Sequence, residues 1–527
     1  MVRSAALATL LLAGAASARR AAAQGRDWSP DDRTIIGDCN HVLAVAVSRD
    51  RVYVVCPSTL LEWDPASRRW TGSWSPPAPQ LLSGVAGALA DPLDGSVWLV
   101  ASQGWARFDP ALRQWDQGTV PAGVMEGVLD GAAPGSGLYL RTAAGWYLAG
   151  RGGFAHPATP PLRPVRIAAV SDAFRANPAI QANSSFLLAR TRLHAVQYTA
   201  AAQSDGFTGR GWYVGTTGVG LLYFPEGAAL PDVIPCGLPT GRVTAVFAAP
   251  GGVWAATERT AAADPGLTFV PSDLGSFETF QGPPATGLPF TAARRIIGRE
   301  SELWLATDVG VLRVAPASGQ VQRYDAGSLP DLPVLDLAQR RGRVVAATAR
   351  GISEYTDSTG FVRRAPEFRD PALAVALAVG DTVWVGTQLG LFASFPGDSD
   401  LEQPAAIGES QTLRGPVVAL AWRGDTLVGL LADQLLWRPP NGDRFVLGPR
   451  LPGTLGQLHA IVNGPDGLYI AGKLGVAFLT LETPFAGALT VPRDIPGEVT
   501  DIAIDDDYLW VATREGLMRF RRELIGR

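Results

Sequence analysis

The sequence predicts an all-β fold, a β-propeller, arranged as two propellers of four-stranded blades with about 11–12 blades in total. Three observations predict it. A short phrase recurs along the chain, as "LWVATREGLMRF" from Leu509, "LWLATDVGVLRV" from Leu303, "VWVGTQLGLFAS" from Val383 and "WYVGTTGVGLLYF" from Trp212. The anchor residue of the phrase falls at Tyr53, Trp98, Tyr139, Tyr213, Trp254, Trp304, Val345, Trp384, Val428, Tyr469 and Trp510, and apart from the region around Phe186 neighbouring anchors lie 39 to 50 residues apart. A period of that length suits one propeller blade. The local pattern is β throughout, with β-branched runs separated by tight turns.

The stretch from Gly241 shows the unit. "RVTAVFA" reads as a first strand, "APGG" as a hairpin turn, "GVWAAT" as a second strand, and "LTFV" and "FETF" as two more. Runs of four or five apolar residues without alternation imply burial on both faces, which neighbouring blades supply. Within "LWVAT", Trp510 and Ala512 share one face and Val511 and Thr513 the other. A large ring beside a small residue lets the next blade approach closely. The glycine that follows, Gly310 or Gly516, suits a turn at positive φ. "WDPASRRW" at 63–70 and "FDPALRQW" at 108–115 read as Asp-Pro turns joining two strands that each carry an aromatic. The tryptophans are therefore expected to pack between blades rather than to stack on a ligand.

Composition agrees. The 527 residues are 47% hydrophobic and only 18% charged, with 60 Gly and 41 Pro, which suits short strands and turns. The net charge of −4 and the lack of a basic face give no support to nucleic-acid binding. Lys473 is the one lysine among 45 basic residues, which reads as genomic base composition.

Residues 1–23 carry an early Arg3, an apolar run from Ala5 to Ala18 and then small residues, the pattern of a secretory signal peptide. The run is short for a bilayer span and no later stretch qualifies, so the chain is expected to be exported, periplasmic or extracellular, with no membrane span. A first propeller is expected over 24–235 and a second over 236–527. Seven anchors, from Trp254 to Trp510, fill the second. Its last blade lacks an outer strand, which 26–37 could supply, removing an exposed edge. In the first, 171–211 reads either as a degenerate blade or as an insert.

Three cysteines are present, Cys39, Cys56 and Cys236. Export permits a Cys39–Cys56 bridge. With a two-residue turn at 48–51, however, Cys56 faces Leu43, so the bridge requires 39–42 to bend back; three buried free thiols are the alternative.

"GLPTGRVTAVFAAPGGVWAAT" (238–257) and "GLPFTAARRIIGRESELWLATDVGVLRV" (287–314) resemble the two-component regulator propeller repeat. The resemblance implies seven-bladed propellers, often in pairs, forming the periplasmic sensing part of a hybrid histidine kinase. The kinase part has no counterpart in this sequence.

No catalytic motif is found. His41, His156, His194 and His459 are scattered, no HExxH or G-x-S-x-G occurs, and "DDDY" at 505–508 reads as a solvated turn rather than a calcium loop. His459 is expected on an innermost strand. "NSS" at 183–185 matches a glycosylation acceptor. No metal site or cofactor is expected. Loops preceding the first strands and following the second ones should meet around the axis. The polar residues placed there are Arg242, Arg294, Arg295, Asp308, Asp336, Arg350, Gln388, Lys473, Arg514 and Glu515, and an arginine-rich ring suits a carboxylated or phosphorylated ligand. The function expected is an exported binding or scaffold module for a glycan, peptide or partner protein. The alternatives are a polysaccharide lyase or glycosidase of the propeller class and a cell-envelope assembly factor.

Overall fold

A computed structural model describes residues 28–525 apart from 30, 77–81, 83, 184–196, 207–208, 262, 284–285, 379–380, 404–414, 439–443 and 480–486. The signal-like segment and the weak repeat copy at Phe186 lie outside the described residues. The chain is nearly all β, as eleven antiparallel sheets among the described residues, most of them four-stranded with strands in chain order. The unit read from Gly241 consists of Val243–Ala249, Gly252–Thr257, Leu267–Pro271 and Glu278–Phe280.

Seven first strands form a circuit. Val243–Ala249, Ala293–Arg299, Val334–Arg340, Ala372–Leu377, Ala419–Arg423, Leu458–Asn463 and Val499–Ile504 pack side by side in that order, and the last returns to the first. The recurring phrase explains the spacing between their sheets. Trp510 and Ala512 belong to one apolar cluster and Val511 to the next, and Trp304 with Ala306 and Leu305 divide in the same way. Each second strand thus feeds two inter-sheet cores, the large ring interlocking with a small neighbour.

Threonine has its own role in the phrase. Thr307, Thr348, Thr387 and Thr513 are buried, and each hydroxyl donates to the carbonyl of the glycine three residues on, at 2.6, 2.9, 3.0 and 2.7 Å. Each hydroxyl also accepts a backbone N–H inside the same turn, from Val309, Arg350, Leu389 and Glu515 respectively. These are side-chain-stabilised turns within the core. Gly516 closes one at φ +140°, and a Cβ there would stand 2.7 Å from the carbonyl oxygen of Ile36.

Arg33–Ile36 lies antiparallel to Gly516–Arg521 as the outer strand of the sheet begun by Val499–Ile504. The indole of Trp28 donates to Asp494 at 3.0 Å and packs edge-on against Phe520 at 5.3 Å. In the earlier half, the sheets begun by Tyr198–Gly206, Ala44–Val47 and Val85–Ala90 are successive neighbours, and Val124–Asp130 lies against Val97–Ala101. The sheet of Val124–Asp130 is five-stranded, because Pro164–Arg166 pairs along its inner edge. Of 171–211, the described part holds the helix Val170–Ala176 and the paired strands Tyr198–Gly206 and Gly209–Thr216. The side-chain amide of Asn183 is buried and donates to the carbonyls of Ala179 and Ala229 at 2.8 and 2.6 Å.

One apolar cluster joins the halves, including Ile36, Val42, Tyr213, Leu238, Val243 and Trp510. The Trp70 indole donates to the carbonyl of Pro235 at 2.9 Å across it. Cys39 and Cys56 are bonded as a disulfide, and His41, in the segment before Leu43, bridges to Thr217. Two of the three thiols are therefore not free. Cys236 is; it is buried, donates to the carbonyl of Cys39 at 2.9 Å, and burial pushes its thiol up to about 12. Among the described residues no helix is long and apolar enough to cross a membrane.

Candidate functional site: the axial cavity

The seven-strand circuit encloses a cavity of about 480 Å³, lined by five of its strands. Among the described residues nine first strands carry a bulge near their start, and in the circuit these include shifts between Ala293 and Arg295, Val334 and Asp336, Leu458 and Ala460, and Val499 and Asp501. The bulge places the residue after it at a common level in each sheet. That position is Arg295, Asp336 and Asp501 in three sheets, and Ala245, Ala374 and Ala460 in three others.

Arg295 bridges two acids there. It lies 3.7 Å from Asp336 and 3.7 Å from Asp501. Each carboxylate is also held by backbone. Asp336 accepts from Leu337 at 2.9 Å and from Val375 of the following sheet at 3.0 Å. Asp501 accepts from Ile502 at 2.9 Å and from Val246 of the following sheet at 3.0 Å. Burial pushes Asp501 up to about 6, against the opposing pull of Arg295 and the two N–H groups. Burial raises Asp336 as well. Both oxygens of both acids are thus occupied by main-chain donors, and Asp501 is 3% exposed. This is strand-to-strand stapling, with each carboxylate oxygen accepting one main-chain N–H.

The opposite end of the cavity lies at the hairpins linking first to second strands, where Gln339, Arg340, Trp422, Gly424 and Asn463 contribute to the lining. Between the ends the wall is apolar, with Ile297, Leu337, Val375, Leu377, Leu420 and Ile461.

The other sequence-predicted residues lie on the face of the loops preceding the first strands, and most are engaged with the protein itself. Arg242 and Arg514 approach Glu258 at 3.8 and 3.5 Å, and Arg514 and Lys473 approach Glu498, both at 3.2 Å. The hydrogen bond from Lys473, with the charges of Lys473 and Arg514, holds the Glu498 carboxyl below its usual range. Two carboxylates thus offset most, though not all, of the charge of these three cations. Asp308 accepts from the backbone N–H of Thr291 at 3.0 Å and pins an entry loop. Arg350 approaches Asp331 at 3.7 Å. Arg294, Gln388 and Glu515 are exposed. Only Arg295 and Asp336 of the ten line the cavity.

His459 sits at the bulge of its inner strand, and burial lowers its imidazole. Asp505 of the acidic turn accepts from Tyr508 N–H, the Trp510 indole and the Ser272 hydroxyl, at 2.7, 2.8 and 2.9 Å, so it serves the turn and the next sheet. Among the described residues no group of His, Cys, Asp and Glu is placed to hold a metal.

Sequence reasoning missed Asp501 and the hairpin end. Asp501 had a signal, because "VTDIAI" aligns with "PVLDLAQ" at the position of Asp336. Arg340 and Trp422 stand beside turns that look like ordinary solvent turns.

Neither a protein-family model nor a curated protein sequence matches the chain. Solved structures that resemble it include an extracellular domain described as part of a hybrid two-component system of B. thetaiotaomicron, at 12% identity over 91% of this chain and 70% of that one, with a TM-score of 0.43. PorZ, a bacterial surface component of the type-IX secretion system of Porphyromonas gingivalis, is 13% identical over 91% of this chain and 68% of that one, with a TM-score of 0.44. Virginiamycin B lyase from Staphylococcus aureus is 15% identical over 53% of this chain and 94% of that one, with a TM-score of 0.42. None of these scores reaches one half, so no activity or partner passes from those proteins to this chain.

Proposed function

We propose that the chain is an exported, non-catalytic binding module that takes a small ligand in the axial cavity of its seven-strand circuit. The observation that carries this reading is the state of the only two acids placed at one level around the axis among the described residues of these bulges. Asp336 and Asp501 spend their oxygens on backbone N–H groups of adjoining strands, which suits a rigid wall and not a general acid and base. A cavity of about 480 Å³ falls in the range of small-molecule sites and suits a sugar unit, a peptide end or a metabolite. Export rests on the segment at 1–23. The test is a thermal-shift screen of glycans, short peptides and metabolites, with product analysis of every hit. Binding without turnover supports the module, and turnover lost in Asp336→Asn supports the lyase or glycosidase alternative.

The assembly alternative draws on a different observation. Met125, Leu162 and Val165 are exposed around the edge strand Pro164–Arg166, with Leu162 85% exposed. Such a patch suits a protein partner.

A further inference from the structure

The geometry points to a small organic anion as the ligand of the axial cavity, its charge held at the hairpin end by Arg340 and a second oxygen reaching the indole N–H of Trp422. This rests on the reading of the cavity as the binding site.

Two arginines line the cavity, and they differ. Arg295 approaches Asp336 and Asp501, each at 3.7 Å. Arg340 is half-buried, lines the cavity and has no carboxylate within ion-pair distance among the described residues; its Nη1 donates to the carbonyl of Leu377 at 3.2 Å. A guanidinium offers five N–H donors and no acceptor, so most of its capacity is unused. Trp422 lines the same cavity from another sheet; its Nε1, like those of Trp98, Trp105, Trp115 and Trp304, is buried without a hydrogen-bond partner, and of these five tryptophans it is the one in the lining. Buried indole nitrogens ordinarily find an acceptor.

These two donors set the chemistry. Neither can accept, and the one carboxylate in the lining, Asp336, stands at the other end and is already engaged. What is lacking at the hairpin end is acceptor oxygen, and opposite Arg340 it is best supplied as negative charge. The apolar wall of Leu377, Leu420 and Ile461 suits a ring or hydrocarbon body joining the two polar groups. The volume limits the body to a single ring or a short chain.

Calorimetric titration of the full chain with 4-hydroxybenzoate and with its uncharged counterpart 4-hydroxybenzamide tests this. The acid is expected to bind one to one and about tenfold or more tighter than the amide, as a charge-assisted pair requires. Arg340→Gln should abolish that ratio, and Trp422→Phe should weaken the acid while leaving the ratio in place. Equal binding of acid and amide, a ratio that survives Arg340→Gln, or no binding of the acid overturns the assignment. If neutral ligands nevertheless stabilise the native chain but not Ala338→Phe, in which the cavity is narrowed, the site stands and only its anion preference falls. If the acid binds Ala338→Phe as it binds the native chain, the cavity is not the site and both readings fall.

Discussion

The carboxylate of Asp501 accepts a hydrogen bond from the backbone N–H of Val246 at 3.0 Å, across 255 residues of sequence. It joins the last inner strand of the circuit to the first. Asp336 makes the equivalent bond to Val375, between two sheets in mid-circuit. Asp501→Ala should therefore leave a buried N–H without its acceptor and Arg295 without one of its two acids. A loss of about 3 kcal/mol is expected, to be read from urea unfolding. Glu515→Ala, at an exposed turn position, should cost less than about 0.5 kcal/mol in the same assay.

The same acids set a pH dependence. Asp501 and Asp38 are pushed up to about 6 by burial, and Asp336 is raised as well. A carboxyl raised in the folded state contributes stability that is full below its unfolded value and is lost as pH rises through its folded value. Asp94, Glu354 and Asp494 are lowered and act in the opposite sense, losing their contribution as pH falls through their own depressed values. The melting temperature should rise as pH falls from about 7.5 to about 5, then decline in stronger acid below about 4. Asp501→Asn should flatten the upper limb of that profile.

Thr513→Val preserves shape and removes the hydroxyl that donates to Gly516 and accepts from Glu515. Inside a buried turn this should cost about 1–3 kcal/mol. Thr307→Val should cost a similar amount, since Thr307 makes the same two contacts. Unequal losses would mean that the repeated threonine is not an equivalent turn-former in each sheet.

Ile35 is buried on the N-terminal strand, paired with Met518. Ile35→Asp should release that strand and bare the edge of Gly516–Arg521. Limited proteolysis should then cut before residue 37, and size-exclusion chromatography should show self-association. A variant that remains protected and monomeric would contradict the role assigned to this strand.

The all-β architecture was legible because burial between sheets imposes one local pattern at every repeat. Trp304, Trp510 and Tyr469 are wholly buried for the reason their spacing implied. Thr513 was placed on a face, but its hydrogen bonds were hidden, because a turn's internal contacts leave no periodic trace. The pairing of the loop charges was hidden for a similar reason. Charges at loop positions such as Arg242, Arg514 and Lys473 are conspicuous in a sequence, but their pairing with Glu258 and Glu498 shows only in space. Arg340 was inconspicuous within "RRGR", and only the circuit of strands places it in the lining of a cavity. The earlier half was less legible, because Pro164–Arg166 adds a strand on an inner edge, where no repeat unit predicts one.

The most direct test of the binding account is the ligand-induced shift in melting temperature, measured in parallel for the native chain and for Ala338→Phe. Ligands found in the screen should raise the melting temperature of the native chain and leave that of Ala338→Phe, itself cooperatively folded, unmoved. An equal shift in both proteins would contradict the account, because the ligand would then be bound away from the axis.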